Sequence, residues 1–481
     1  MSSTCDLGTG SAPALKPYPV YKPSGVDWLG EVPAHWRIVR NGQIFVQRIE
    51  TGFPELPILE VSLNTGVRVR NFENLDRKQI MTVRSEYKRA VGGDIAYNMM
   101  RMWQGAVGVT PVDGLVSSAY VVARPLDGTD PRYFSALFRT GAYTTEVDRS
   151  SRGIVKDRNR LYWIDFKQMA SPCPPFEEQA AIARYLDHAD RRIRRCIQAK
   201  EKLVELLEEQ RQALINEAVT GRVDVRTGQP YPEYKPSGVE WLGEVPAHWR
   251  IARNGQIFVQ RNETGFPELP ILEVSLNTGV SVRNLDNLDR KQMMTLRSGY
   301  KRAIAGDIAY NMMRMWQGAV GVTPVDGLVS TAYVVARPLD GTNPRYFSAL
   351  FRTSAYKTAV DRSSRGIVKD RNRLYWSDFK QLASPYPPVE EQATIARYLD
   401  DSDRRIQRGI QAAQRQIDLL KEYRTRLIAD VVTGKLDVRE APEALAGDLE
   451  EPESITGPGA SAVMSGESAR SPNVAPQGSD A

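Results

Sequence analysis

The chain repeats itself over most of its length. Residues 21–226 align with residues 234–439 at a constant offset of 213 and without a gap. A repeat of this length is too long for one unit of a solenoid. The chain must therefore fold as two copies of one globular domain, each followed by the same kind of helix.

Each copy ends in a stretch typical of one long helix. The first opens at Pro174-Pro175-Phe176-Glu177, and its counterpart opens at Pro387. Prolines and acidic residues suit the first turn of a helix. Apolar residues at alternating steps of three and four predict a heptad seam, so we expect the two helices to pair antiparallel as a coiled coil. The predicted helix-pairing residues are Ile182, Leu186, Ile193, Leu203, Leu207, Leu214, Ile395, Leu399, Ile406, Ile417, Leu420 and Leu427.

The globular part of each copy mixes short strand and helix patterns, which indicates an α+β fold. Strands are expected at residues 56–63, 94–98 and 119–124, and a helix at 131–140. The predicted division is a disordered leader (1–16), a first domain (17–173), a central helix (174–222), a second domain (223–386), a C-terminal helix (387–439) and a disordered acidic tail (440–481).

The charge is unevenly distributed along the chain. Residues 440–481 contain eight acidic residues against one basic residue, Arg470. Removing that net −7 from the formal +6 of the chain leaves +13 on residues 1–439, and a basic body favours a polyanionic partner. No apolar run approaches the 18–20 residues of a membrane span, and no signal-peptide pattern is present, so we expect a cytoplasmic protein without membrane contact.

Motifs for catalysis are missing from the sequence. Asp130-Pro131-Arg132-Tyr133 has Arg where an amino-methyltransferase motif has its second proline, so we interpret it as a turn leading into a helix. There is no phosphate-binding loop with its Lys and Ser/Thr, no zinc-ligand set and no nucleophile elbow. His35 and His248 lack metal-ligand spacing and are predicted to be structural. We expect a binding protein that is not an enzyme and holds no metal.

Two segments combine basic and base-reading side chains. Residues 148–163 contain five bases against two acids and recur unchanged at 361–376, while Tyr97 to Gly105 recurs as Tyr310 to Gly318. Arginine and lysine suit phosphates, and arginine also suits the guanine edge, so both roles stay open. The candidate DNA-binding residues are Asn98, Arg101, Gln104, Arg149, Arg152, Lys156, Arg158, Arg160, Asn311, Arg314, Gln317, Arg362, Arg365, Lys369, Arg371 and Arg373.

Three motifs, each present twice, resemble those of the specificity subunits of type I DNA restriction–modification systems. In the first copy they are Ser24 to Trp36, Pro174 to Ala183 and Leu214 to Val225; in the second they are Ser237 to Trp249, Pro387 to Ala396 and Leu427 to Val438. The resemblance spans residues 21–439.

This resemblance implies two target-recognition domains separated by two long antiparallel spacer helices, with pseudo-two-fold symmetry. It also implies binding to double-stranded DNA, to two methyltransferase subunits and to restriction (translocase) subunits. S-adenosylmethionine, ATP and Mg are expected in those partners and not in this chain. The protein would then be associated with the nucleoid through DNA.

The two copies differ less than the family pattern implies. They differ at 17 of the 136 positions from 37 to 172, but at 17 of the 37 positions from 183 to 219. Two near-identical reading domains predict a palindromic bipartite site, whereas the family ordinarily reads two unlike halves. A standalone DNA-binding regulator and, with less support, an orphan nuclease are the alternative functions.

Overall fold

The computed structural model describes residues 15–63, 65–70, 86–153, 159–276, 278–283, 299–365 and 372–440. Most of the predicted leader and almost all of the predicted tail lie outside these residues. Lys16, the last residue of the predicted leader, is described, and its carbonyl oxygen accepts a hydrogen bond from the backbone N–H of Asp437 at 2.8 Å.

The chain divides into two compact units whose boundaries fall inside the long helices. Of the described residues, the N-terminal unit comprises those up to Ala189 and those from Leu427 onward, and the central unit comprises Asp190–Arg426. Each unit therefore contains one copy of the globular domain together with the ends of two different helices.

Short strands and helices build the N-terminal unit, with helix α4 continuing into the central unit. Its strands are β1 (Tyr21–Pro23), β2 (Glu31–Pro33), β3 (Arg37–Arg40), β4 (Phe45–Arg48), β5 (Leu59–Ser62), β6 (Gly66–Val69), β7 (Lys88–Ala90), β8 (Ile95–Asn98), β9 (Val107–Val109), β10 (Gly114–Val116), β11 (Tyr120–Pro125) and β12 (Ala170–Cys173). Its helices are α1 (Pro131–Phe138), α2 (Gly141–Ser150), α3 (Trp163–Phe166) and α4 (Phe176–Thr220).

The central unit repeats this order. Its strands are β13 (Tyr234–Pro236), β14 (Glu244–Pro246), β15 (Arg250–Arg253), β16 (Phe258–Arg261), β17 (Leu272–Ser275), β18 (Gly279–Val282), β19 (Lys301–Ala303), β20 (Ile308–Asn311), β21 (Val320–Val322), β22 (Gly327–Val329), β23 (Tyr333–Pro338) and β24 (Ala383–Tyr386). Its helices are α5 (Asn254–Ile257), α6 (Pro344–Phe351), α7 (Ser354–Ser363), α8 (Trp376–Phe379) and α9 (Val389–Val432).

A four-stranded antiparallel sheet forms the middle of each domain, in the order β4-β11-β8-β9 in the first and β16-β23-β20-β21 in the second. Successive residues of a strand point to opposite faces. In β8, Ile95 and Tyr97 enter the main core with the aromatic side chains of α1, while Ala96 enters a smaller core on the other face. Burial on both faces explains why the pattern of this strand is continuously apolar.

A buried glutamate fixes the start of each long helix to its domain. In the N-terminal unit Glu178 accepts hydrogen bonds from the Tyr18 hydroxyl (2.6 Å) and the Trp36 indole N–H (3.0 Å), and its Oε2 lies 2.8 Å from Nε2 of His35. Burial and the hydrogen bond to Glu178 raise the pKa of Tyr18, so its hydroxyl remains a donor. His35 is therefore structural, as the sequence predicts.

The end of the other long helix closes the same site. Gly434, just after α9, has a φ of 80°, and a β-carbon on it would lie 2.4 Å from the Pro33 ring and 3.0 Å from Trp36. In the central unit Gly221 is held in the same way against Pro246 and Trp249. The positive φ and the close approach both require glycine here.

Helices α4 and α9 pair antiparallel within the central unit. Lys200 donates to the Gln416 side-chain oxygen at 2.6 Å, and ion pairs join Arg211 to Asp403 (2.5 Å) and Asp190 to Arg424. These two ion pairs are reciprocal, because Asp403 and Arg424 are the repeat counterparts of Asp190 and Arg211. Reciprocal contacts are what a repeated helix makes when it pairs with its own copy in opposite direction.

One predicted helix-pairing residue is wrong. Leu203 is 46% exposed, whereas its neighbour Val204 is partly buried. A strict heptad drifts by about 20° per repeat around an α-helix, so a seam extended by heptads moves off the buried side. The other eleven predicted residues are buried or partly buried.

The helix pair offers a test in two neighbouring leucines. Leu420 is 6% exposed and packs against Ile193, while Leu419 is 63% exposed. Leu420→Ala should lower the free energy of unfolding by roughly 2–4 kcal/mol, because it leaves a cavity between the helices. Leu419→Ala should change it by less than about 0.5 kcal/mol. Urea unfolding of both variants measures the difference, and equal losses would contradict this register.

Candidate nucleic-acid interface

The first candidate segment begins and ends at an isolated antiparallel β-bridge between Arg152 and Arg160, and we call the described residues on either side of this bridge the hairpin. The backbone N–H of each residue donates to the carbonyl of the other at 3.0 Å. Residues 154–158 between them, including Lys156 and Arg158, lie outside the described residues. Asn159 donates to the Asp148 carboxylate at 2.9 Å, which ties this hairpin to the end of α2.

The second candidate segment is a tight turn that leaves β8. The Asn98 side-chain oxygen accepts the Met100 N–H at 2.9 Å, and Gly105 closes the turn with a φ of 86°. Met102 is fully buried and Trp103 donates to the Met100 carbonyl at 3.0 Å. These two apolar side chains are therefore part of the domain's packing.

The two candidate segments lie side by side. The Leu161 N–H donates to the Met99 carbonyl at 2.9 Å, directly beside Arg160 and Arg101. The end of the hairpin and the turn are thus connected by backbone, although some 60 residues separate them in sequence. We call the exposed side chains of Arg101, Arg149, Arg152 and Arg160 the basic face of the domain.

The cations of this face have different partners. Arg149 lies 3.7 Å from Glu146, and Arg152 is paired with Asp165. Arg101 and Arg160 form no ion pair with any residue that the structure describes. Both side chains are exposed, so within the described part of the chain no carboxylate offsets the charge that they offer to a polyanion.

The second copy has the same arrangement in the central unit. Arg365 and Arg373 exchange backbone hydrogen bonds at 3.0 Å, and Leu374 donates to the Met312 carbonyl at 2.9 Å. Arg314 and Arg362 are exposed, the Asn311 side chain caps its own turn, and Lys369 and Arg371 lie outside the described residues. Arg362 pairs with Glu240 at 3.2 Å, and Ala359 stands where the first copy has Glu146.

The glutamines of the turn are exposed, and in the central unit Gln317 lines a groove of about 1060 Å³ beside the helix pair. The same groove contains the Arg211–Asp403 pair and Arg352, whose side chain donates to the Leu276 carbonyl at 2.6 Å. Gln317 therefore faces the long helices as well as the turn. Gln104 is its counterpart in the N-terminal unit.

The structure accounts for the motif that resembled a methyltransferase site. Asp130 caps the N-terminus of α1 through a 2.9 Å hydrogen bond from the Arg132 N–H, and the following Tyr133 is buried and donates to the Val432 carbonyl at 3.0 Å. Among the described residues, no group of three or more His, Cys, Asp and Glu side chains is placed to hold a metal ion. Within the same part of the chain, no helix is both long and apolar enough to cross a membrane.

Asp165 and its counterpart Asp378 are the residues that the sequence analysis missed. Each lies on a short helix, α3 or α8, and forms an ion pair with the hairpin arginine at 2.5 Å. Asp165 lies 13 residues beyond Arg152, outside the basic run, so local composition does not indicate it. Its presence at the same place in both copies is a weak signal, since most of the domain is identical.

No family model matches the chain. Among solved structures, it is similar to a chain from a study of the complex assembly and conformational transition of the type I R-M system, with a TM-score of 0.60 and 17% identity over 84% of this chain and 99% of that chain. It is also similar to the HsdS subunit from Thermoanaerobacter tengcongensis, with a TM-score of 0.51 and 17% identity over 84% of this chain and 98% of that one. The chain therefore shares with these structures a mixed fold of strands and helices, and its two long helices α4 and α9 are consistent with the expected spacer helices.

A phosphate-binding role for Arg160 and its counterpart Arg373 can be tested through the salt dependence of DNA binding. Arg160→Ala combined with Arg373→Ala should weaken binding to duplex DNA of any sequence. The slope of log K against log salt should fall by about 0.9 for each phosphate that the protein no longer neutralises. Lys202→Ala with Arg415→Ala is the control, because it removes the same charge from exposed positions of the long helices. Equal slopes for both double variants would contradict a phosphate role for the basic face.

Proposed function

We propose that this chain is the specificity subunit of a type I restriction–modification system. The observation that carries the proposal is the shared fold with the two solved structures over 84% of the chain, of which one is an HsdS subunit. The basic face, present in both units, supplies the surface for DNA. The three repeated motifs support the same conclusion, because they meet at the buried Glu178 and Glu391.

In this proposal each domain reads one half of a bipartite site. The two domains differ at only 17 of 136 positions, and all the described candidate residues are identical between the copies. The two halves would therefore carry the same short sequence in inverted orientation, separated by unspecified base pairs.

The chain would recognise DNA without catalysing a reaction. The methyltransferase subunits, of which we propose two, would bind S-adenosylmethionine, and the restriction subunits would use ATP and Mg. The exposed faces of α4 and α9 are the surfaces on which such subunits would assemble. The complex would act in the cytoplasm, at the nucleoid.

Mapping of methylated adenines tests the proposal directly. DNA from cells that carry the complete system should contain methylated adenines in two inverted copies of one sequence at a fixed spacing. Deleting the gene for this chain, with the methyltransferase gene kept, should remove that methylation. Two unrelated half-sites would contradict the palindrome alone.

Purification distinguishes the alternative of a standalone regulator. A tagged chain should bring down a methyltransferase in stoichiometric amount when both are expressed together. A chain that binds its site tightly and purifies without any methyltransferase would overturn the proposed subunit role.

A further inference from the structure

We propose that Arg152 and Arg365 each read a guanine, and that Asp165 and Asp378 are the positioning residues that aim them. The inference rests on the proposed function, and it assigns distinct roles to arginines that the sequence leaves equivalent. Its basis is the ion pair between hairpin and short helix, which occurs in both copies of the domain.

Both the side chain and the backbone of Arg152 are held in place by hydrogen bonds. Its Nε and Nη2 lie 3.1 and 2.5 Å from Oδ1 of Asp165, and its backbone is fixed by the two hydrogen bonds with Arg160. The Asp165 side chain is 14% exposed, whereas that of Arg152 is 65% exposed. A nearly buried carboxylate thus fixes an arginine whose outer edge remains in solvent.

The edge that stays available suits guanine. Arginine has five N–H donors in a planar group, and Asp165 uses the edge formed by Nε and Nη2. The edge formed by Nη1 and the second hydrogen of Nη2 points away from the carboxylate. Two parallel donors on one edge match the N7 and O6 acceptors that guanine presents in the major groove.

The ion pair also argues against a phosphate role for this arginine. A neighbouring carboxylate cancels most of the charge that would attract a phosphate, but it leaves the direction of the N–H donors intact. Arg101 and Arg160, which form no ion pair within the described part of the chain, would provide the charge for phosphates on the same face. Arginines aimed by a carboxylate and arginines without one would therefore divide the two tasks of base reading and backbone contact.

The central unit repeats the ion pair, there through Nη2 of the arginine. Arg365 Nη2 lies 2.5 Å from Oδ1 of Asp378, with the arginine 70% and the aspartate 11% exposed. Arg365 and Arg373 repeat the backbone pairing. Each half-site should therefore contain one guanine read in this way.

The experiment selects duplexes from a random library with the full chain bound to its co-purified methyltransferase. The double variant Arg152→Ala, Arg365→Ala should lose preference at one guanine per half-site by about tenfold or more. Asp165→Asn with Asp378→Asn should reduce the same preference severalfold, because the arginines are no longer aimed. The matched control, Arg160→Ala with Arg373→Ala, should weaken all sequences and keep the guanine preference.

A substituted base provides a readout that does not depend on protein folding. Replacing the assigned guanine by 7-deazaguanine removes the N7 acceptor, so it should weaken binding by the unaltered chain about tenfold but leave the Arg152→Ala, Arg365→Ala variant unaffected. Uniform weakening by the arginine substitutions, with a salt slope lowered by about one for each phosphate left without its cation, would overturn the assignment in favour of phosphate. Failure of the unaltered complex to select any sequence would instead overturn the proposed function.

Discussion

The buried carboxylate at the start of each long helix is the contact on which the rest of the domain depends. Glu178 is 6% exposed and faces three donors, from Tyr18, His35 and Trp36. A carboxylate removed from water is stable only when hydrogen bonds replace its hydration, and the helix N-terminus adds a favourable dipole. Loss of any donor would leave part of a buried charge without compensation, so the extended loop and the helix start must form together.

This contact also explains why the sequence motifs recur as a set. The loop motif supplies His35 and Trp36, the helix-start motif supplies Glu178, and the helix-end motif supplies Gly434 against Trp36. Three segments that are remote in sequence thus build one buried site in the N-terminal unit. The central unit builds the same site from Glu391, Trp249 and Gly221. Each motif supplies one part of this buried site, so the three motifs have their structural role only together.

The sequence predicted the two long helices more accurately than it predicted which of their residues contact each other. The spacing of apolar residues, together with the prolines and acidic residues at the helix starts, predicted α4 and α9. Of the twelve predicted helix-pairing residues, eleven are at least partly buried. Leu203 was wrong because a seam extended by strict heptads drifts around an α-helix by about 20° per repeat. The repeat contained the correction, since the counterpart of Leu203 is Gln416, while Val204 corresponds to the buried Ile417.

The candidate interface shows a second limit of prediction from sequence. The arginines could be identified from composition, because a run of basic residues around a glycine can be recognised within one short segment of sequence. Composition did not indicate that Leu161 binds the Met99 carbonyl, nor that Asp165 pairs with Arg152, because both contacts depend on how β8, the hairpin and α3 pack. The role of an exposed arginine is decided by such neighbours, which no local pattern contains.

The different rates of change in the two parts of the repeat follow from these contacts. The orientation of Arg152 depends on the backbone hydrogen bonds between residues 152 and 160 and on the carboxylate of Asp165, so the loss of either contact affects the arrangement. Along the helices, by contrast, 17 of 37 positions differ between the copies, yet Asp190 and Arg211 and their counterparts Asp403 and Arg424 are unchanged. Helix pairing requires only a line of buried residues and a few reciprocal ion pairs, whereas the basic face depends on a connected set of contacts. A duplicated chain can therefore vary its helices while the basic face of each domain stays the same.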